Sequence, residues 1–136
     1  MRHKLIIDGS KFSTIGEFFD ESVRLLTKNL SWEPGRGLDA FHDLLRGGFG
    51  VHEVGEGIGF YWIHSNKSRQ DLGYEETALH WEKILQKCHP TNYEIVRQKI
   101  KAAQNQEGET LFDIITCDIL RKDDWYDHTL SFDNEF

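Results

Sequence analysis

Residues 37–50 read GLDAFHDLLRGGFG. At about 100° of rotation per residue, Leu38, Phe41, Leu44 and Leu45 fall on one side of a helix and Asp39, His42, Asp43 and Arg46 on the other. The spacing therefore predicts a short amphipathic helix over 38–46 with its charged side outward, ended by Gly47 and Gly48. Asp39 sits in the first turn, where unpaired N–H groups and the helix dipole favour a negative charge. Asp43 lies one turn further on, where a like charge at i,i+4 repels by roughly 0.2–0.5 kcal/mol. Two readings of Asp43 stand on spacing alone: a solvated acid or a weak pair with Arg46, the commoner case on a surface, and a carboxylate presented to a partner.

Working outward, Trp32-Glu33-Pro34-Gly35-Arg36-Gly37 is a loop by its Pro and Gly content. Upstream, Leu5-Ile6-Ile7 closed by Asp8-Gly9 suits a short buried strand, and Thr14-x-x-Glu17 is a capping box opening a helix to about residue 30. Downstream, a glycine-rich loop through Gly57 leads into an aromatic and branched strand over 58–64. A helix over 75–89 follows, with Ala78, Trp81, Ile84, Leu85 and Cys88 on its apolar side, until Pro90 stops it. Thr91-x-x-Glu94 is a second capping box, opening a helix that carries Tyr93, Val96, Ile100 and Ala103 on one face. Residues 110–120, rich in Ile, Leu and Thr, read as a third strand.

Strands separated by helices imply parallel pairing through right-handed crossovers, hence a small α/β fold: a three-stranded parallel sheet packed with about four helices. Residues 1–120 make the domain, and residues 121–136, with two basic and five acidic side chains, form a loosely docked acidic tail. There is no internal repeat and no low-complexity tract.

With 136 residues, 38% of them apolar, the chain can bury one core. Sixteen basic against twenty-three acidic side chains leave a formal charge of −7, which repels nucleic acid phosphates and favours neutral or basic partners. The opening MRHKLIIDGS is too short in apolar residues for a signal peptide, and no run approaches the roughly 18 a membrane span needs. A soluble, cytoplasmic protein is expected, with Cys88 and Cys117 as reduced, small buried residues.

Rival chemistry is thin. His52-Glu53-x-x-Glu56 lacks the second histidine of a zinc protease motif, and Gly55-x-Gly57-x-Gly59 lacks the spacing of a nucleotide loop. Cys88 with His80 and His89 does not supply three or four convergent ligands, so no metal and no cofactor are expected. Glu53 and Glu56 are either solvated loop charges or an extension of the acidic rim.

The motif Gly35-x-x-Leu38-Asp39-Ala40-Phe41-x-Asp43-x-Leu45-x-Gly47, after a strand ending Ile-Asp-Gly and a helix, resembles the barstar family of ribonuclease inhibitors over residues 4–50. The resemblance implies a barstar-like fold, no catalysis, and a monomer bound 1:1 to a small basic secreted ribonuclease, with the helix and its preceding loop plugging the active site. Asp43 would be the central mimic of an RNA phosphate and Asp39 a flanking acid. His42 would stand where an aromatic is common, and Gly47 would let the chain pass close to the enzyme. Glu33, Gly37, Leu38 and Arg46 would complete the contact. Neither nucleic acid nor membrane would be touched directly.

The chain departs from the pattern in places. Gly37 replaces a common Asn, Trp32-Glu33-Pro34 stands where tyrosines are frequent, and Arg36 adds a positive charge. A late acidic contact of the family falls near Ala103 or Gln104, neither of which is acidic. Two other function classes remain: an immunity or adaptor protein using the same acidic helix against a partner that is not a ribonuclease, and a small hydrolase built on His42, Asp43 and His52.

Overall fold

The computed structural model describes residues 3–32, 34, 35, 37–120 and 128–133. Three strands, β1 (His3–Asp8), β2 (Ile58–Ile63) and β3 (Thr129–Phe132), form a parallel sheet in the order β1-β2-β3. The period of two sends Leu5, Ile7, Phe60, Trp62, Leu130 and Phe132 toward the helices. Ile6 and Tyr61, paired in register, point the other way and are exposed. β1 is thus a half-buried edge strand rather than a buried one. Trp62 is fully buried at the centre, with Phe18 stacked on it at 5.8 Å and Phe12 and Phe112 meeting it edge-on. Its indole N–H donates to Ser68 Oγ at 3.0 Å, so the one polar atom of this large side chain is satisfied.

Helix α1 (Ile15–Leu26) begins at Thr14, whose hydroxyl accepts from Glu17 N–H at 3.2 Å. Glu17 reaches back to Ser13 N–H, and Glu76 from α4 (Tyr74–Leu85) accepts from Ile15 N–H at 2.7 Å, so a second helix helps cap the first. α1 stops at Leu26, short of residue 30, because Thr27 turns extended to bridge Gly50 and Lys28 N–H donates to Phe49 O at 2.8 Å. α2 (Leu38–Leu45) packs on α1. α4 and α5 (Tyr93–Gln104) form a helical hairpin. The box at Thr91 and Glu94 does not form: Pro90–Asn92 is a 3-10 turn capped by His89, and Asn92 precedes α5 without a side-chain bond. α4 ends at Leu85, short of 89; its buried residues are Thr77, Ala78 and His80, while Trp81, Ile84 and Leu85, and Cys88 beyond its end, are half-buried. Both cysteines are free, and Cys117 is exposed rather than buried.

The stretch 110–120 is not a strand. Thr110 and Asp113 make a reciprocal capping box that opens α6 (Leu111–Asp113), which widens into a π-helix over Ile114–Leu120. Its buried residues, Leu111, Phe112, Ile115, Thr116, Ile119 and Leu120, recur every fourth position, a helical and not an alternating period. The third strand lies instead at 129–132, inside the stretch read as a loose tail, and a polar helix, α3 (Ser65–Asp71), follows β2.

Asp133 joins these two late pieces. Its carboxylate accepts from Ser65 Oγ at 2.6 Å and His64 N–H at 2.7 Å, capping α3 from 68 residues away. The Ser65 hydroxyl, followed by the His64 and Ser65 N–H groups, holds this carboxyl below its usual range. Asp8 is lowered in the same direction by the Ser10 hydroxyl and N–H. For a lowered carboxyl the unfolded chain takes up the proton first, so its stabilisation is complete above the ordinary carboxylate range and is lost as pH falls through it. Asp133→Asn is expected to lower the melting temperature at neutral pH, with the gap to wild type narrowing below about pH 4. Thermal melts across that range check it.

Candidate functional site

α2 starts at Gly37, whose φ of +154° with ψ of 173° lies in a region essentially reserved for glycine. That gives a local reason for glycine there, and it leaves the first turn without a side-chain cap. Phe41, Leu44 and Leu45 are buried, and Phe41 meets Phe18 edge-on at 5.2 Å, which fixes the helix's rotation on α1.

The far end is held more tightly. Asp43 O accepts from Arg46 N–H at 3.1 Å, Leu44 O from Gly47 N–H at 3.2 Å and Arg46 O from Gly55 N–H at 2.9 Å. Leu45 O lies within bonding distance of two imidazoles, His52 Nε2 at 3.0 Å and His128 Nε2 at 3.1 Å. His128 Nδ1 accepts from Ile58 N–H at 3.0 Å, so its proton must sit on Nε2, facing Leu45. His52 is buried, and among the described residues its Nδ1 has no partner, which leaves Nε2 as its donor to the same carbonyl. The carbonyls that a helix end leaves over are thereby satisfied.

On this anchored helix Asp39 and Asp43 are exposed, Asp43 with 63% of its side chain accessible. Arg46 Nε approaches Asp43 only to 4.0 Å, and both side chains are in solvent, so the pair is weak. His42, Leu38 and Gly37 are half-buried. Glu33 and Arg36 in the preceding loop, and Trp125 in the acidic stretch, lie outside the described residues. Trp32 is exposed and rests edge-on against Phe49 at 6.1 Å.

Gly47 has a part within the fold itself. It is buried with φ +91°, and a Cβ there would stand 2.2 Å from the Glu53 carbonyl oxygen. The close approach seen here is to the chain's own loop. That loop, with Gly48, Gly50, Val51 and Val54, borders an open depression of about 760 Å³. Glu56 is tied up accepting from Glu53 N–H at 3.0 Å, whereas Glu53 is exposed at the rim. His52 sits beneath, bound to Leu45 O, so the structure does not bring it onto the solvent face that carries Asp43. Ala103 is buried on α5, and Gln104 is exposed beside Tyr74 and Leu79, away from the groove that α2 shares with α4.

The two histidines that anchor α2 were beyond sequence reasoning, since His128 lies 83 residues from Leu45 among acidic neighbours and no spacing links them. Among the described residues no helix is long and apolar enough to cross a membrane, and no group of three or more His, Cys, Asp or Glu is placed to hold a metal.

No family model matches this chain, and neither the curated proteins nor the solved structures give a match. The functional reading rests on the site itself and on the motif in residues 35–47.

Because Gly47 combines a left-handed backbone with a backbone clash, Gly47→Ala is expected to destabilise the fold by about 2 kcal/mol or more. Urea unfolding measures it; an unchanged midpoint would return Gly47 to the partner-facing role.

Proposed function

We propose that this chain is a barstar-type inhibitor of a small basic ribonuclease, acting in the cytoplasm as a monomer in a 1:1 complex. The observation that carries the reading is Asp43: an exposed carboxylate in mid-helix, paired among the described residues only with the solvent-exposed Arg46 at 4.0 Å, on a helix whose C-terminal carbonyls are bonded to the rest of the fold.

A ribonuclease site gathers Arg, Lys and His to hold phosphate. A carboxylate already fixed in position can collect charge-assisted hydrogen bonds from such groups with little ordering cost. Asp39, one turn away, supplies a second charge in the place of a neighbouring phosphate, with His42 between them and Leu38 and Gly37 at the helix entry. The formal charge of −7 favours rapid encounter with a cationic enzyme, a behaviour for which the barstar family is itself the usual example. Neither a cofactor nor a bond-making step enters this reading.

The test is RNA cleavage by small basic ribonucleases in the presence of the chain. Wild type is expected to suppress cleavage, and Asp43→Ala to weaken binding by roughly 2–5 kcal/mol, the range for truncating one member of a buried charge pair and drawn partly from this family's complexes. Its own stability should stay within about 0.5 kcal/mol of wild type, as for an exposed surface position. Cleavage left untouched by wild type across the panel would overturn the proposal.

A further inference from the structure

The two imidazoles on Leu45 O impose a chemical requirement that the ribonuclease reading does not use. His128 Nδ1 accepts from Ile58 N–H at 3.0 Å while its Nε2 lies 3.1 Å from Leu45 O. A backbone N–H can only donate, so Nδ1 must offer a lone pair, and the ring serves both neighbours only while it is neutral. A proton on Nδ1 would set two donors against each other. Ile58 is fully buried, so its N–H would then lose its acceptor where water does not reach it.

His52, the other arm, is buried, with Nε2 at 3.0 Å from the same carbonyl and Nδ1 sealed from solvent with no partner among the described residues. A proton added there would find no acceptor, and the two rings, 6.4 Å apart, would become like charges side by side. Around them α2 contributes Leu45 O and the exposed Arg46 next to it, and β2 contributes Ile58 N–H and the Phe60 ring, 6.1 Å from His128. The glycine-rich loop contributes Glu53, exposed at the rim, and Glu56, which accepts from Glu53 N–H. Asp133, at the far end of β3, is engaged by Ser65 and His64. The residues just before His128 lie outside the described ones.

We propose that His128 is an acid-sensitive latch: protonation of its ring in mild acid breaks the Ile58 bond, withdraws one arm from Leu45 O and loosens the start of β3. The C-terminal end of α2 is then left to the Gly55 N–H bond with Arg46 O, to His52 and to packing on α1. The opened segment takes up the proton first, in the ordinary histidine range near about pH 6.5, while the closed form resists it. The latch is therefore complete above that range and is lost as pH falls through it. This window lies above the carboxylate range in which the Asp133 contribution fades, so the two effects separate. The inference concerns how α2 is seated and is independent of Asp43 and of whether the partner is a ribonuclease.

The experiment is amide hydrogen exchange of the full chain by NMR across mild acid, corrected for the intrinsic exchange rate, together with the nitrogen shifts of the His128 ring. Opening at the Ile58 amide and along Thr129–Phe132 should rise about tenfold per pH unit below about pH 6.5, the linkage of one proton, while the amides of α4 and α5 stay protected. At neutral pH the ring shifts should place the proton on Nε2. His128→Asn keeps an acceptor near the place of Nδ1 and cannot titrate, so its exchange at Ile58 should be flat over the same range. His52→Gln, which leaves His128 to titrate, should keep the slope. A flat profile in wild type, a ring proton on Nδ1 at neutral pH, or a slope that survives His128→Asn would overturn the latch. Equal acceleration in α4 and α5 would mean acid unfolding of the whole domain and would overturn it as well. Should His128→Asn fail to fold, the wild-type profile and ring shifts still decide.

Discussion

The carbonyl oxygen of Leu45 accepts from two histidines, one seven residues on and one 83 residues on. A helix end normally leaves such oxygens to water or to a local turn. Here His52 brings the glycine-rich loop under α2, and His128, bonded at its other nitrogen to Ile58 N–H, ties the helix to the start of β2 and the approach to β3. The sheet, the loop and the acid-bearing helix meet at a single oxygen atom. Removing that junction would leave this end of α2 held by the Gly55 N–H bond to Arg46 O and by packing on α1.

The rigidity matters because α2 is locally unfavourable. Asp39 and Asp43 repel across one turn, Arg46 is too distant to offset this by much, and Gly37 offers no cap. An eight-residue helix of this kind is marginal in isolation, and its burial of Phe41, Leu44 and Leu45 together with the Leu45 clamp holds it in place. Where local preference loses and tertiary contacts win, a functional cause is the natural explanation. Asp39 and Asp43 are both on the exposed face of α2.

How much of this the chain announced depended on whether the cause was local. α1 and α2 were legible because Ile15, Phe18, Phe19 and Leu26, and Phe41, Leu44 and Leu45, repeat at helical spacing, and the exposure of Asp39 and Asp43 followed from the same count. The run 110–120 misled because its β-branched content outweighed Thr110-x-x-Asp113, a helix-start signal that was present in the letters. α3 has no apolar stripe and depends on Asp133, while β3 is four residues long and completes a sheet begun 126 residues earlier, so neither could be read from its own neighbourhood. Gly47 was recognised as the residue that ends α2 and permits a close approach; its left-handed backbone and the Glu53 carbonyl beside it emerge only in the fold. The groove that α2 shares with α4 was hidden because the 75–89 helix turns Thr77, Ala78 and His80 inward and leaves Trp81 and Ile84 at the edge.

The six residues from His128 to Asp133 supply the third strand, one arm of the Leu45 clamp and the cap of α3. The residues of α1, α2, α4 and α5 are all synthesised before these six. Until then β2 is an edge strand showing unpaired N–H and C=O groups, the kind of surface on which nascent chains associate. The protein therefore completes its fold late, by long-range closure rather than by accretion from the N-terminus, and topologies of that kind fold slowly. The His128 arm of the Leu45 clamp on α2 forms only when this closing segment is in place, so the seating of the acid-bearing helix is among the last things the chain finishes.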